Sequence, residues 1–398
     1  MLSNKIKDLA SRNHPEIVSI RRHLHMHPEL SYQEKETGLF IAAKLNEWGI
    51  RHEHGWAENG VVAFIEGQTP ESAVIALRAD IDALPIQEAN DVPYCSQNPG
   101  VMHACGHDVH TASLLGTAFI LNQLKAHFRG TVKLIFQPAE EKLPGGASIL
   151  IKEGVLQKPP KPAEILGQHV LPELPAGKVG IREGMFMASA DEIYMTVTGK
   201  GGHAAAPHQV IDPVFITSQI IVALQQVVSR LANPIIPSVL SFGKINSTGG
   251  ATNVIPNEVK VEGTFRTMDE IWRAKALSSI EQVATGIAKS LGGFCEVRIE
   301  KGYPCLINEP KLTRRVKKHA IDYLGADKVV EIPMRMTAED FAYYSQVLPA
   351  CFYRLGTANE KKGINSPIHT NTFDVDEKCL ETGAGLMAWL AVKELEGL

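Results

Sequence analysis

Val132-Lys133-Leu134-Ile135-Phe136-Gln137-Pro138-Ala139-Glu140-Glu141 sets a short apolar run against a pair of carboxylates. A run of this length, bounded by turn-forming residues, reads as a buried strand. The arrangement recurs twice. Val74-Ile75-Ala76-Leu77 runs on to Asp80 and Asp82, and Ile165-Leu166-Gly167-Gln168 runs into His169. Between and before these runs, residues 17–24, 38–48 and 111–124 carry apolar positions at helical spacing. Strands alternating with helices predict an α/β core with a mainly parallel sheet. In such sheets ligands gather just beyond the carboxyl ends of the strands. Three separate runs place acidic or imidazole groups there.

The surrounding composition narrows the function. The chain has 398 residues, 44% hydrophobic, with 40 basic and 44 acidic side chains and a formal net charge of −4. That length favours two domains. The mixed charge shows no basic stripe for nucleic acid, which is therefore not expected as a partner. No run of about 18 apolar residues stands out, so no membrane association is expected. Six cysteines in so long a chain make no disulfide framework, and a cytoplasmic location is expected.

From about residue 188 the texture changes. A half-exposed strand at 193–197, a helix at 213–230, strands at 239–245 and 259–266, a helix at 269–291 and a strand at 296–299 give the order β-α-β-β-α-β, a ferredoxin-like unit. We therefore expect a discontinuous catalytic domain, residues 1–187 and 300–398, with an inserted domain at 188–299. Residues 338–345 read as a further helix of the catalytic domain.

The densest chemistry lies in Met102-His103-Ala104-Cys105-Gly106-His107-Asp108-Val109-His110. A Cys105 thiolate can bridge two cations, and His107 can hold one. Sulfur with imidazole favours zinc or another late divalent ion over magnesium. Asp82 or Asp108 can accept the second ring proton of a ligand histidine. In Glu140-Glu141 one carboxylate can bind metal while the other takes a proton from water whose pKa a cation has lowered to roughly 7. His169 and His369 gain weight because the site needs further ligands. The turn Gly199-Lys200-Gly201-Gly202-His203 lacks the Lys-Ser/Thr end of a phosphate loop, so its small residues read as room for His203 to approach a backbone or a substrate. Arg266 ends a strand and can clamp a carboxylate.

Taken together these residues resemble the co-catalytic metallopeptidase and amidohydrolase family, which includes aminoacylases, hippurate hydrolases, plant auxin-conjugate hydrolases, N-acetyldiaminopimelate deacetylases and glutamate carboxypeptidases. The likeness covers nearly the whole chain. It rests on Arg21-Arg22-His23-Leu24-His25 with Pro28-Glu29-Leu30-Ser31, on Arg78-Ala79-Asp80-Ile81-Asp82-Ala83-Leu84-Pro85, and on the Cys105 block. Gln137 to Glu141, Gly202-His203-Ala204, Asn253-Val254-Ile255-Pro256, Ala338-Glu339-Asp340-Phe341 and His369 complete it in the family's order. The resemblance implies two divalent metal ions per subunit, zinc or manganese first and cobalt or nickel as alternatives. Cys105, His107, Glu141, His169 and His369 match the ligands, and Glu140 matches the general base. It implies that His203 reaches a partner subunit's site and steadies the oxyanion, that Asn253 and Arg266 hold the substrate's far end, and that residues 188–299 form a lid through which a homodimer assembles. The chain departs from the family at Lys142-Leu143-Pro144, Gln168 and Thr337, all expected near the cleft.

The resulting expectation is a metal-dependent amidohydrolase that cleaves the amide of N-acyl-L-amino acids of N-acetyl or N-benzoyl type. A metallo-dipeptidase or carboxypeptidase of the same family is the alternative. A thiol-centred redox or nucleophilic enzyme leaves Glu140, Glu141 and His369 without a role. A metal-binding interaction module leaves Glu140 without one.

Overall fold

The computed structural model describes residues 1–247, 249 and 251–398. They form two compact units. The first comprises Met1–Gly184, Ile307–Pro333 and Asp340–Leu398. The second comprises Met185–Leu306 and Met334–Glu339.

The first unit is built on an eight-stranded sheet. Its order is Arg51–Trp56, Gly60–Glu66, Thr131–Gln137, Val74–Asp80, Glu164–Pro175, Ala350–Ala358, Val179–Ile181 and Val329–Glu331. The central strand Val74–Asp80 runs parallel to both neighbours, and Glu164–Pro175 runs parallel to Ala350–Ala358. Antiparallel pairs occur at Arg51–Trp56 and Gly60–Glu66 and again around Val179–Ile181, so the sheet is mixed but mainly parallel. Strand Thr131–Gln137 is buried along its whole length, which explains its mostly apolar reading, with Lys133 Nζ satisfied by Val155 O at 2.8 Å. Helices Leu2–Met26, His107–Gln123 and Cys379–Gly397 share one core with the sheet through Ile17, Ile20, Leu114, Leu115, Leu386 and Leu390.

Three local departures from the sequence reading bear on the site. The helix expected at 111–124 is His107–Gln123, so it starts at a candidate ligand. It is buried on nearly every side and carries no single apolar stripe to mark its start. The strand expected to end before His169 continues to Pro175, because Ala350–Ala358 pairs with it from Ile165 to Leu171 and again at Pro175. His169 thus lies within a strand rather than after one. The helix expected at 338–345 shrinks to Ala342–Ser345.

The second unit has four antiparallel strands in the order Ser238–Ser247, Glu258–Thr267, Asp191–Thr198 and Phe294–Lys301. Helices Pro213–Gln226 and Glu270–Ser290 complete the β-α-β-β-α-β unit. Strand Asp191–Thr198 alternates buried and more exposed residues, as a one-faced sheet requires. Ile193, Met195 and Val197 pack with Ile216, Ile220, Leu224, Ala276 and Ile280. Asp212 and Asp269 cap the two helices by accepting backbone N–H bonds in their first turns. The segment Pro213–Leu231 is more apolar than the sequence reading allowed, with mean hydropathy 1.4 over a span-length window. Its Ile216, Ile220, Leu224 and Val227 enter this unit's core.

Candidate metal centre

Cys105 reaches the centre through a bend at Gly106. That glycine has φ +83°, and a side chain there would meet Val170 Cγ2 at 2.6 Å. The left-handed turn ends the preceding loop and starts the helix at His107. Cys105 is buried, and its Sγ lies 3.4 Å from His169 Nε2 and 3.3 Å from His369 Nε2. His369 is held in a left-handed conformation, φ +62°, with its backbone N–H bonded to Ala104 O at 2.8 Å. Strain of this kind collects at functional sites.

The ligand candidates fall into overlapping sets. Cys105, His107 and His169 present donor atoms within 4.8 Å of one another, and so do Cys105, Glu141 and His369. Cys105 belongs to both, which is the geometry of a bridging ligand. His107, Glu140 and Glu141 form a third such set. Glu141 Oε1 lies 3.3 Å from His369 Nε2 and 3.9 Å from His107 Nε2. His107 Nε2 and Glu141 Oε1 are both buried and make no hydrogen bond among the described residues. Buried polar atoms are normally satisfied. An unsatisfied imidazole nitrogen and carboxylate oxygen, converging with the Cys105 thiol and two further imidazoles, are what a pair of cations would satisfy, so the residues fit a two-metal centre.

Tautomers are set from outside. His107 Nδ1–H donates to Asp82 Oδ1 at 3.1 Å, and His169 Nδ1–H donates to Val170 O at 2.8 Å. Each leaves Nε2 for a metal. Of the two candidate acceptors, Asp82 is the one in contact with His107. Asp108, the other candidate, instead accepts from Arg21 Nε at 2.7 Å and pairs with His25 at 2.8 Å. His103 also leaves the centre: it is buried, burial depresses it to about 4, and it joins none of the donor sets among the described residues.

The electrostatics suit cations. Burial and the Glu141, Glu140 and Asp80 carboxylates push the Cys105 thiol well above its usual range. Burial alone would depress His107, but Asp80, Asp82 and Glu141 hold it up at about 10. His169 is pushed well below its usual range by burial and by Arg354.

Glu140 is nearly buried and accepts a 3.3 Å hydrogen bond from the Asp340 backbone N–H. Asp340 is itself fixed: its carboxylate accepts from Arg78 at 2.6 Å, from Gln137 Nε2 at 2.7 Å and from Ala147 N–H at 2.9 Å. The sequence reading gave no role to Arg78, Asp80, Asp340 or His110. His110 bonds Asp80 through Nδ1 and accepts from Val170 N–H through Nε2 at 2.9 Å, so both its nitrogens are engaged. Its spacing, one turn after His107 on the same helix, was the available signal. Gln168, expected near the cleft, instead accepts from the buried Tyr353 hydroxyl at 3.2 Å.

His203, Asn253 and Arg266 belong to the second unit. His203 pairs with Val254 in a two-stranded ribbon, and Ala204 N–H donates to Asn253 O at 3.0 Å, so His203 and Asn253 sit together. A side chain on Gly201 would meet Ile255 O at 2.5 Å, which is why the ribbon needs glycine. His203 is exposed, and its Nδ1 accepts from Ala205 N–H at 3.0 Å. In the neutral ring the proton is then on Nε2, which can act as a donor. Arg266 Nη1 is buried and has no hydrogen-bond partner among the described residues.

Comparisons with known proteins agree with this chemistry. The sequence profile of the family described as peptidase family M20/M25/M40 matches residues 76–393. An N-acyl-L-amino acid amidohydrolase of Geobacillus stearothermophilus is 43% identical over 308 residues, 77% of this chain and 82% of the relative. Thermostable carboxypeptidase 2 of Saccharolobus solfataricus is 40% identical over 98% of both chains. A solved Bacillus subtilis structure, described as a dinuclear metal-binding peptidase of the M20 family, superposes with a TM-score of 0.84 at 37% identity, covering 98% of this chain and 100% of that one.

Proposed function

The chain belongs to peptidase family M20/M25/M40, a family of amide-bond hydrolases, and from that premise we propose that it cleaves N-acyl-L-amino acids of N-acetyl or N-benzoyl type to a carboxylic acid and a free amino acid. The observation that carries this reading is the sharing of Cys105 between two donor sets with Glu140 alongside. Zinc or manganese is the proposed pair, with cobalt or nickel as alternatives. When bound, the two cations supply Lewis acidity toward the acyl carbonyl and the attacking water.

The chain's own residues do the rest. Glu140 takes a proton from the attacking water and returns it to the leaving amine. The Asp340 N–H holds the Glu140 carboxylate in place for both transfers. The Nε2–H of His203 donates to the developing oxyanion, an interaction whose loss typically costs about two to three orders of magnitude in rate. The buried, unpartnered guanidinium nitrogen of Arg266 suits a substrate carboxylate, with Asn253 helping to hold that end.

Residues 188–299 are proposed as the lid and dimerisation domain, with His203 acting in the partner's site. The exposed Phe215 and Val222 of helix Pro213–Gln226 offer apolar surface for such a homodimer. All six cysteines are free, which suits a reducing cytoplasm.

The likeness to a carboxypeptidase supports the alternative, a metallo-dipeptidase or carboxypeptidase. A panel of N-acetyl, N-benzoyl and longer N-acyl amino acids, set against dipeptides with a free amine, separates the two. The proposal requires kcat/KM to be higher for the N-acyl amino acids. Preference for free-amine dipeptides would replace it with the alternative.

A further inference from the structure

Glu140 lies on a loop with no regular structure of its own, yet that loop is held along its length by one short segment far away in the sequence. Ser31, Tyr32 and Glu34 come just before helix Lys35–Glu47. Glu34 is fully buried, and its Oε1 accepts the Ala139 backbone N–H at 2.7 Å. Its Oε2 accepts from Asn59 Nδ2 at 3.2 Å, which fixes the carboxylate. The Tyr32 hydroxyl donates to Lys142 O at 3.0 Å and accepts from Gly145 N–H at 3.2 Å. Ser31 Oγ donates to Asp82 Oδ2 at 2.6 Å, and that same oxygen accepts Glu141 N–H at 2.9 Å. The loop is thus gripped before, within and after the Glu140-Glu141 pair.

The grip has a physical purpose. Ala139 sits in the left-handed region at φ +55°, a conformation an alanine does not adopt without outside help. Tyr32 is left-handed too, at φ +68°. The conformation of Ala139 decides which way the next carboxylate projects. If its peptide relaxed, Glu140 would turn, whereas Glu141 keeps a separate anchor through its N–H on Asp82. A shift of about 1 Å at a reacting group can cost on the order of a hundredfold in rate.

We propose that Tyr32 and Glu34 are positioning residues that lock the Ala139–Gly145 loop so that Glu140 stays aimed for proton transfer. This rests on the reading of Glu140 as the base.

The test uses the full-length, metal-loaded protein. Tyr32→Phe removes one hydroxyl oxygen from a partly exposed ring, so the fold should survive. Glu34→Ala removes the acceptor, and Glu34→Gln keeps an oxygen for Ala139 N–H. Tyr32→Phe and Glu34→Ala should each lower kcat by roughly 5- to 50-fold while KM and metal content stay within about twofold. Hydrogen exchange in peptides covering residues 138–146 should speed up by about tenfold or more. Glu34→Gln should recover most of the Glu34→Ala loss. Added to Glu140→Gln, each change should cost less than about twofold, because its effect passes through Glu140. Wild-type kcat and exchange in Tyr32→Phe and Glu34→Ala, with Glu140→Gln inactive, would overturn the clamp and leave the base reading standing. The same kcat loss in the Glu140→Gln background would also overturn it. A normal rate for Glu140→Gln alone would instead remove the base reading.

Discussion

Asp82 binds His107 and the base loop with one carboxylate. Its Oδ1 lies 3.1 Å from His107 Nδ1, and its Oδ2 accepts the Glu141 backbone N–H at 2.9 Å. Two candidate ligands, one on a helix and one on a loop, are therefore oriented by the same buried group. Asp82→Asn should keep the fold and weaken metal binding by about 10- to 100-fold, the usual scale for a partner that orients a ligand. Competition against a coloured chelator measures this. Unchanged affinity would deny Asp82 that role.

Protons should leave when metal enters. In the metal-free protein the Cys105 thiol is pushed well above its usual range, and His107 is held up at about 10, so both are protonated near neutral pH. His169 is pushed the other way and is already neutral. Coordination needs the thiolate and the neutral imidazole, so loading near pH 7.5 should release about two protons from these two groups. Affinity should rise with pH, because each released proton competes with the metal. Calorimetry in buffers of different ionisation heat counts the protons, and Cys105→Ser should release about one fewer. Equal release from the wild type and Cys105→Ser would exclude a thiolate ligand.

Arg266 should act on binding rather than on chemistry. Its buried, unpartnered Nη1 awaits an acceptor. Arg266→Ala should raise KM for an N-acyl amino acid by about tenfold or more with kcat little changed. The variant should lose much less against the matching substrate amide, which lacks the carboxylate. An equal loss on both substrates would mean that Arg266 does not read that group.

If His203 serves the partner's site, two inactive variants should repair each other. Glu140→Gln mixed with His203→Ala under subunit exchange gives mixed dimers with one intact site. Activity should approach about a quarter of wild type, since about half the dimers are mixed and each has one good site of two. Proven exchange without recovered activity would place His203 in its own chain's site or outside catalysis.

Much of this was readable in the residues, for identifiable reasons. Short apolar runs leading toward Asp80, Glu140 and His169 mark strands because strands buried on both faces of a mainly parallel sheet are predominantly apolar. The start of the helix at His107 was not readable. Its first turn is polar yet buried, since His107, Asp108 and His110 each point at a partner rather than at solvent. The sequence offered both Asp82 and Asp108 as acceptors, with Asp82 the one taken, and only the fold turns the Asp108 carboxylate toward Arg21. The roles of Arg78, Asp340, Tyr32 and Glu34 depend on contacts across long sequence separations, which no local pattern encodes.

The central claim is that two cations and Glu140 together hydrolyse an N-acyl amino acid. Its most direct measurement titrates chelator-stripped protein with zinc or manganese while following release of free amino acid from an N-acetyl or N-benzoyl amino acid. Glu140→Gln is carried in parallel. The account predicts no turnover without metal, activity that reaches its plateau at about two ions per subunit, and a Glu140→Gln protein that binds the same metal yet turns over at least roughly a hundredfold more slowly. Full turnover by stripped protein, or near-normal turnover by metal-loaded Glu140→Gln, would contradict it.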